Sequence, residues 1–150
     1  MNNGSSPNVV LVVGVFDLFH VGHLELLKRA RNMGDSLIVA VNGDSFTRSY
    51  KRRPIVDEES RCSIVAACRY VDSAFVTNSA DVKPILEQYA ISTIVHGDDW
   101  EHESYMKQIC VTEDYLRARG IMIKYTPYYR GDSTSTIIAR AGQVSCGNTA

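Results

Sequence analysis

Five short apolar runs punctuate the chain, and each gives way to a glycine, an asparagine or a polar stretch. Val9-Val10-Leu11-Val12-Val13 is apolar at every position and rich in β-branched residues, the pattern of a strand covered on both faces in a parallel sheet. Ser36-Leu37-Ile38-Val39-Ala40-Val41 repeats it and stops at the turn-forming Asn42-Gly43-Asp44. Ala74-Phe75-Val76, Thr93-Ile94-Val95-His96 and Ile121-Met122-Ile123-Lys124-Tyr125 read as three more strands. Between them the apolar positions change to helical spacing. Leu24, Leu26, Leu27 and Ala30 share one face while Glu25, Lys28, Arg29 and Arg31 take the other, so a helix begins at about His23. Further helices are predicted over 57–68, 81–89, 113–119 with its stop at Gly120, and 134–141, whereas 42–54 reads as turn and loop.

Strands alternating with helices predict an α/β fold: a Rossmann-like open parallel five-stranded sheet with helices on both faces and right-handed crossovers. The domain is expected to span 9–142, between a flexible polar lead at 1–8 and a flexible tail at 143–150. In such sheets ligands bind beyond the carboxyl ends of the strands, where strand order reverses. The polar clusters after the first, second, fourth and fifth strands all fall at that edge.

Composition narrows the class. A chain of 150 residues with 45% hydrophobic and 22% charged content suits one core. Sixteen Lys and Arg against 17 Asp and Glu leave a net charge of −1, which argues against a nucleic-acid or membrane-surface binder. The first residues lack the basic start and apolar core of a signal peptide, and no stretch approaches the length of about 20 apolar residues that spans a bilayer. A cytoplasmic location without membrane insertion is therefore expected, with Cys62, Cys68, Cys110 and Cys146 as reduced thiols.

The candidate chemistry sits at the first strand's end. Gly14-Val15-Phe16-Asp17-Leu18-Phe19-His20-Val21-Gly22-His23 places two imidazoles three residues apart at a helix N-terminus, whose free amides and positive dipole end attract phosphate. A zinc site is the competing reading, but no His-Glu-x-x-His or Cys-x-x-Cys completes a ligand set. A nicotinamide turn needs Gly-x-Gly-x-x-Gly, which is absent here. A third reading has each histidine satisfying only local hydrogen bonds.

Gly14-x-Phe16-Asp17 with His20-x-Gly22-His23, followed by Gly97-Asp98-Asp99-Trp100 and Ser133-Thr134-Ser135, resembles the cytidylyltransferase family of the HxGH nucleotidyltransferases, especially its glycerol-3-phosphate branch. The likeness runs over about residues 9 to 142. It implies transfer of CMP from CTP to a small phosphorylated alcohol, glycerol 3-phosphate first, with pyrophosphate released, Mg2+ as cofactor and a homodimer as the assembly. Phosphocholine, phosphoethanolamine or a hydroxyalkyl phosphonate are alternative acceptors. An adenylyltransferase and a non-catalytic nucleotide sensor are the alternative functions.

By resemblance, His20, His23 and Lys51 are catalytic, and Lys51 and Arg61 meet the substrate phosphate. Gly14, Val15, Phe16, Asp17, Gly22, His96, Gly97, Asp99, Trp100, Tyr125, Pro127, Arg130, Ser133, Thr134 and Ser135 are the implied nucleotide contacts. Asp17 either orients a histidine or holds magnesium through the phosphates, its plainer role being to stabilise a turn. Arg61 has a plainer alternative too, a surface ion pair with Asp57 or Glu58. One departure stands out: Tyr128 occupies the position where the family carries arginine, and Arg130 lies two residues later.

Overall fold

The computed structural model describes residues 4–144 and has five parallel strands in the order β3-β2-β1-β4-β5. β1 is Val9–Gly14, β2 Ser36–Asn42, β3 Ser73–Thr77, β4 Ile91–Gly97 and β5 Met122–Thr126. The predicted α/β architecture is therefore present. Side chains alternate across the sheet as the strand period requires. Val10 and Val12 of β1 join Leu37, Val39 and Val41 on one face, packed against Leu27 and Ala30 of α1 (Val21–Arg31) and Val65 of α3 (Glu58–Ala67). Leu11, Ile38 and Ile94 face the other way, onto α4 (Lys83–Gln88), α5 (His102–Gln108) and α6 (Glu113–Arg119). Both faces are covered, which is why β1 and the middle of β2 carry no polar side chain.

The chain leaves β1 toward β2 and β3, then crosses back to place β4 on β1's other side. The segments after β1 and β4 thus diverge from neighbouring strand ends and open a crevice between them.

Several boundaries differ from the sequence reading. α1 starts at Val21, two residues before His23, because His20 itself caps it. A five-residue helix, α2 (Asp44–Arg48), stands in the stretch read as loop; it has no apolar stripe, and Asp44 and Glu58 cap each other's backbone N–H groups across the turn. α5 went unread because its apolar contribution is only Tyr105 and Met106. The last helix, α7 (Thr134–Gln143), runs on into the expected tail, of which residues 145–150 lie outside the described residues. At the other end Asn8 is anchored: its backbone N–H donates to Asp35, its amide to the Met33 carbonyl, and its side-chain oxygen accepts from Ser92 and Thr93. Cys62, Cys68 and Cys110 are free thiols, the first two packed against the α1/α3 core; Cys146 lies outside the described residues. Among the described residues no helix is long and apolar enough to cross a membrane.

Candidate active site

β1 ends at Gly14, and the loop after it bends through Phe16 (φ 55°) and Leu18 (φ 50°), two side-chain-bearing residues in the left-handed region. The bend folds the Phe16 ring back over Gly14, where a Cβ would stand 3.0 Å from the ring. Phe16 and Phe19 in turn flank His23, at 5.3 and 5.5 Å between ring centres.

His20 is the N-cap of α1, and the cap is built from imidazoles. The Gly22 N–H donates to His20 Nδ1 at 3.0 Å, and the His20 N–H donates to His23 Nδ1 at 3.3 Å. Because each Nδ1 accepts, each neutral ring carries its proton on Nε2. The rings stack at 3.8 Å. The space a Gly22 side chain would need is filled by His20, whose Cε1 would lie 2.8 Å from an added Cβ. Burial, then the neighbouring His20, holds the His23 pKa down at about 3; Asp17 pulls it up, and Lys51 pushes it down by less than that. Burial also lowers His20, opposed by Asp132. Both imidazoles are thus neutral Nε2–H donors near pH 7. Ligating zinc through Nε2 would need each proton moved to Nδ1, which would break both capping hydrogen bonds. No cluster of three potential metal ligands occurs among the described residues.

α7 supplies the facing wall. Ser133 caps it, accepting from the Thr136 N–H, and Thr134 Oγ1 donates to the Asp17 carbonyl at 3.0 Å while lying 3.4 Å from His20 Nε2. The first turn of α7 therefore sits against the first turn of α1, with Ser133, Thr134 and Ser135 lining the same cavity as both histidines.

The loop after β2 brings Lys51 and Arg52 to that cavity. Asp17 does not orient a histidine. Its carboxylate accepts the Ile55 and Val56 N–H groups and the Arg52 guanidinium. Burial opposes its ionisation, but those three hydrogen bonds outweigh it and lower the pKa. Asp17 is the latch of the lysine loop, the turn-holding role, and its oxygens are spent there. Arg61 is a second correction. It is buried, 1% exposed, and donates to the carbonyls of Val15, Val56 and Asn42 while pairing with Asp44 at 2.7 Å. It lies outside the cavity lining and pairs with neither Asp57 nor Glu58; it ties the loops after β1 and β2 to α3.

On the β4 side, His96, Gly97, Asp99 and Trp100 line the cavity, as does Pro127 after β5. Tyr125 does not: its hydroxyl pairs with His102 Nδ1 at 2.6 Å, and His102 Nε2 meets Glu113. Arg130 is exposed and outside the cavity lining, because the chain turns Tyr128 and Tyr129 toward the cavity instead. Arg29 also lines the site and was missed by the sequence reading, although its spacing from Gly22 and Leu26 puts it on the helix face that carries the cap.

The enclosed space is about 530 Å³, enough for a nucleotide-sized ligand. The family described as Cytidylyltransferase-like matches residues 11–140, which include every loop that lines it. The chain belongs to the cytidylyltransferase-like family. This domain is 37% identical over 114 residues to the glycerol-3-phosphate cytidylyltransferase of Staphylococcus aureus, covering 75% of the chain and 86% of that protein. It is 38% identical over 115 residues to an ethanolamine-phosphate cytidylyltransferase of Arabidopsis thaliana, covering 71% of the chain but 27% of the relative. A bifunctional protein HldE of Koribacter versatilis is 34% identical over 138 residues, 91% of the chain and 27% of the relative. The chain thus spans about a quarter of the length of these last two relatives. Among solved structures, the lipopolysaccharide core biosynthesis protein of Thermoplasma volcanium superposes with a TM-score of 0.68 at 28% identity, over 85% of this chain and all of that one.

The cytidylyltransferase-like domain offers magnesium little of its own. Asp17 is occupied by its three donors, which leaves Glu25, Asp99 and Asp132 as the other carboxylates on the cavity wall, Glu25 beside Lys28 and Arg29 and Asp132 paired with Arg140 at 3.0 Å. That set fits an ion carried chiefly by phosphate oxygens and water, held to the protein by at most one or two carboxylates.

Proposed function

We propose that this domain is a cytidylyltransferase that joins CTP to a small phosphorylated alcohol, glycerol 3-phosphate first, and releases pyrophosphate. The observation that carries the reading is the stacked imidazole pair, locked as neutral Nε2–H donors beside the α7 N-terminus and Lys51. Nucleotidyl transfer needs that arrangement. An oxygen of the acceptor phosphate attacks the α-phosphorus, the bond from that phosphorus to the bridging oxygen breaks, and pyrophosphate leaves with the electron pair. Charge builds on oxygens around one phosphorus, where fixed donors stabilise it without reorganising. The acceptor is already ionised near neutral pH, so no base has to take a proton from it.

His20 and His23 would donate to the α- and β-phosphate oxygens, Ser133 to Ser135 and the first α7 amides to the outer phosphates, and Lys51 to the attacking phosphate. Magnesium, bound with CTP, would neutralise part of the triphosphate charge. The nucleoside would lie along His96, Gly97, Asp99 and Trp100.

Glycerol 3-phosphate leads because the relative named for it is matched over 86% of its length. Phosphoethanolamine is the second reading, supported by the 38% identity to the enzyme named for it. A homodimer and a cytoplasmic location complete the proposal. Pyrophosphate release from CTP or ATP, with glycerol 3-phosphate, phosphoethanolamine, phosphocholine and a hydroxyalkyl phosphonate in turn, tests it. The expected result is turnover with CTP and glycerol 3-phosphate; turnover with ATP alone, or CTP binding with no turnover on any acceptor, would overturn it.

A further inference from the structure

The short segment after β5 is held from two sides by groups that the transfer chemistry does not use. The Asp98 N–H donates to the Thr126 carbonyl at 3.0 Å, and Asp98 Oδ1 accepts the Tyr128 N–H at 2.8 Å. From α1, Arg29 Nη1 donates to the Pro127 carbonyl at 2.8 Å and reaches Thr126 Oγ1 at 3.3 Å. The buried last residue of β5, Thr126, and the two exposed residues after it are thereby fixed, two of the three through hydrogen bonds of their own backbone to Asp98, so the conformational entropy of ordering them is lost before any ligand arrives. Asp98 does not line the cavity, and its carboxylate faces a backbone amide; it shapes the site without touching what binds there.

The clamp presents a ring. Tyr128 is 51% exposed although it lines the cavity, and its Cδ2 lies 3.9 Å from where a Cβ on Gly97 would stand. Trp100, 36% exposed, follows on the neighbouring loop. Two large aromatic faces left accessible on the β4–β5 side of a phosphate-type cavity suit a planar, weakly polar group, and a base stacks on such faces whatever its hydrogen-bonding edge.

We propose that Asp98 and Arg29 are positioning residues that hold 126–129 as a preformed strap, and that Tyr128 is the surface on which the nucleotide's base stacks. This rests on the nucleotide-transfer reading above. It assigns to Tyr128 the base contact that Arg130 and Tyr125 do not make.

Trp100 is the chain's one tryptophan, so its fluorescence reports binding at this end of the cavity directly. Titration of the full chain with CTP, and separately with inorganic tripolyphosphate, separates the base contribution from the phosphate contribution. Tyr128→Ala is expected to weaken CTP about tenfold, within the range for losing one base–aromatic stack, and to leave tripolyphosphate within about twofold. Asp98→Ala should do the same, whereas Asp98→Asn, whose amide oxygen still accepts the Tyr128 N–H, should recover most of the loss. The double variant Asp98→Ala/Tyr128→Ala should be no weaker than Tyr128→Ala, because one residue acts through the other. Equal losses of CTP and tripolyphosphate, additive losses in the double variant, or an unchanged Tyr128→Ala would overturn the strap. Wild-type protein that binds CTP but transfers nothing overturns the enzymatic reading and leaves the strap standing; protein that binds tripolyphosphate and CTP equally overturns the strap alone.

Discussion

His23 Nδ1 accepts the backbone N–H of His20, and that hydrogen bond decides what the His23 ring can do. It closes the α1 cap, fixes the His23 tautomer and turns Nε2–H into the free donor. A glutamine at position 23 can close the cap through its amide oxygen, but its N–H then sits beside that oxygen and not across a ring where Nε2–H stands. His20→Gln and His23→Gln are each expected to lower kcat by about two to three orders of magnitude, corresponding to roughly 3–4 kcal/mol of transition-state stabilisation, with a smaller change in CTP affinity. Steady-state kinetics with pyrophosphate detection checks this. Because His23 titrates near pH 3, the acid limb of the rate profile should follow the acceptor's own phosphate pKa and shift when the acceptor is changed to a phosphonate.

The same depressed pKa has a consequence for stability. Unfolded, His23 takes up its proton near pH 6.5; folded, it resists until about pH 3. Between those values the unfolded chain binds the extra proton, so stability falls as pH falls. The contribution is present above about pH 6.5 and declines below it, by up to about 1.4 kcal/mol per pH unit. Asp17, whose pKa is also lowered, adds a loss of the same sign only below its ordinary 3.8. Urea denaturation of wild type and His23→Gln between pH 7 and 4 should show a flatter pH slope in the variant; parallel slopes would mean that His23 is protonated in the native state.

Gly22 matters for its absent side chain. An alanine there would place Cβ 2.8 Å from His20 Cε1 and 3.3 Å from the Asp132 carbonyl, so the His20 ring has to swing off its capping position. Gly22→Ala is expected to cut kcat by about a hundredfold, the scale of losing one preorganised donor, while the fold survives. Circular dichroism and kinetics on one sample would separate this from unfolding.

Arg61 behaves as a buried strut. Removing its guanidinium orphans the Val15, Val56 and Asn42 carbonyls and the Asp44 carboxylate at once. Arg61→Met is expected to cost about 3–5 kcal/mol in chemical denaturation. Loss of acceptor affinity at unchanged stability would return Arg61 to the phosphate role that the sequence implies.

The strands, the motif order and the paired histidines were legible because each is a local pattern: continuous apolar runs, a glycine-bounded turn, a helix start. Lys51, Trp100 and Ser133 to Ser135 followed, since the strand ends of a parallel sheet share one edge. Arg61 and Asp17 were legible as residues and not as roles. Both carry charge at a phosphate-type edge, and only the tertiary arrangement reveals that backbone groups of other loops consume it. Tyr125 and Arg130 lie just outside the run 126–129 that lines the cavity: the Tyr125 hydroxyl turns to His102, and Arg130 is exposed. α2 and α5 were hidden because neither pairs an apolar spacing with a stop signal: α2 buries only Thr47, and α5 only the adjacent Tyr105 and Met106, whereas α6, equally short, ends on Gly120.

Ala90 and Cys110 hold left-handed conformations, φ 49° and 59°, directly after the C-caps of α4 and α5, a place where glycine carries no steric penalty. At the matching point after α6 the chain has Gly120, at φ 65°. An L side chain in this region costs about 1–2 kcal/mol, partly offset because glycine loses more freedom on folding. Ala90→Gly should therefore stabilise the protein by about 0.5–1 kcal/mol, seen as a higher denaturation midpoint at unchanged m-value. The site is untouched, since Ala90 precedes β4 at the edge of the sheet opposite the cavity. A destabilised Ala90→Gly would mean that the methyl group's packing outweighs the relief of backbone strain, and that α4 ends where it does for reasons other than its cap.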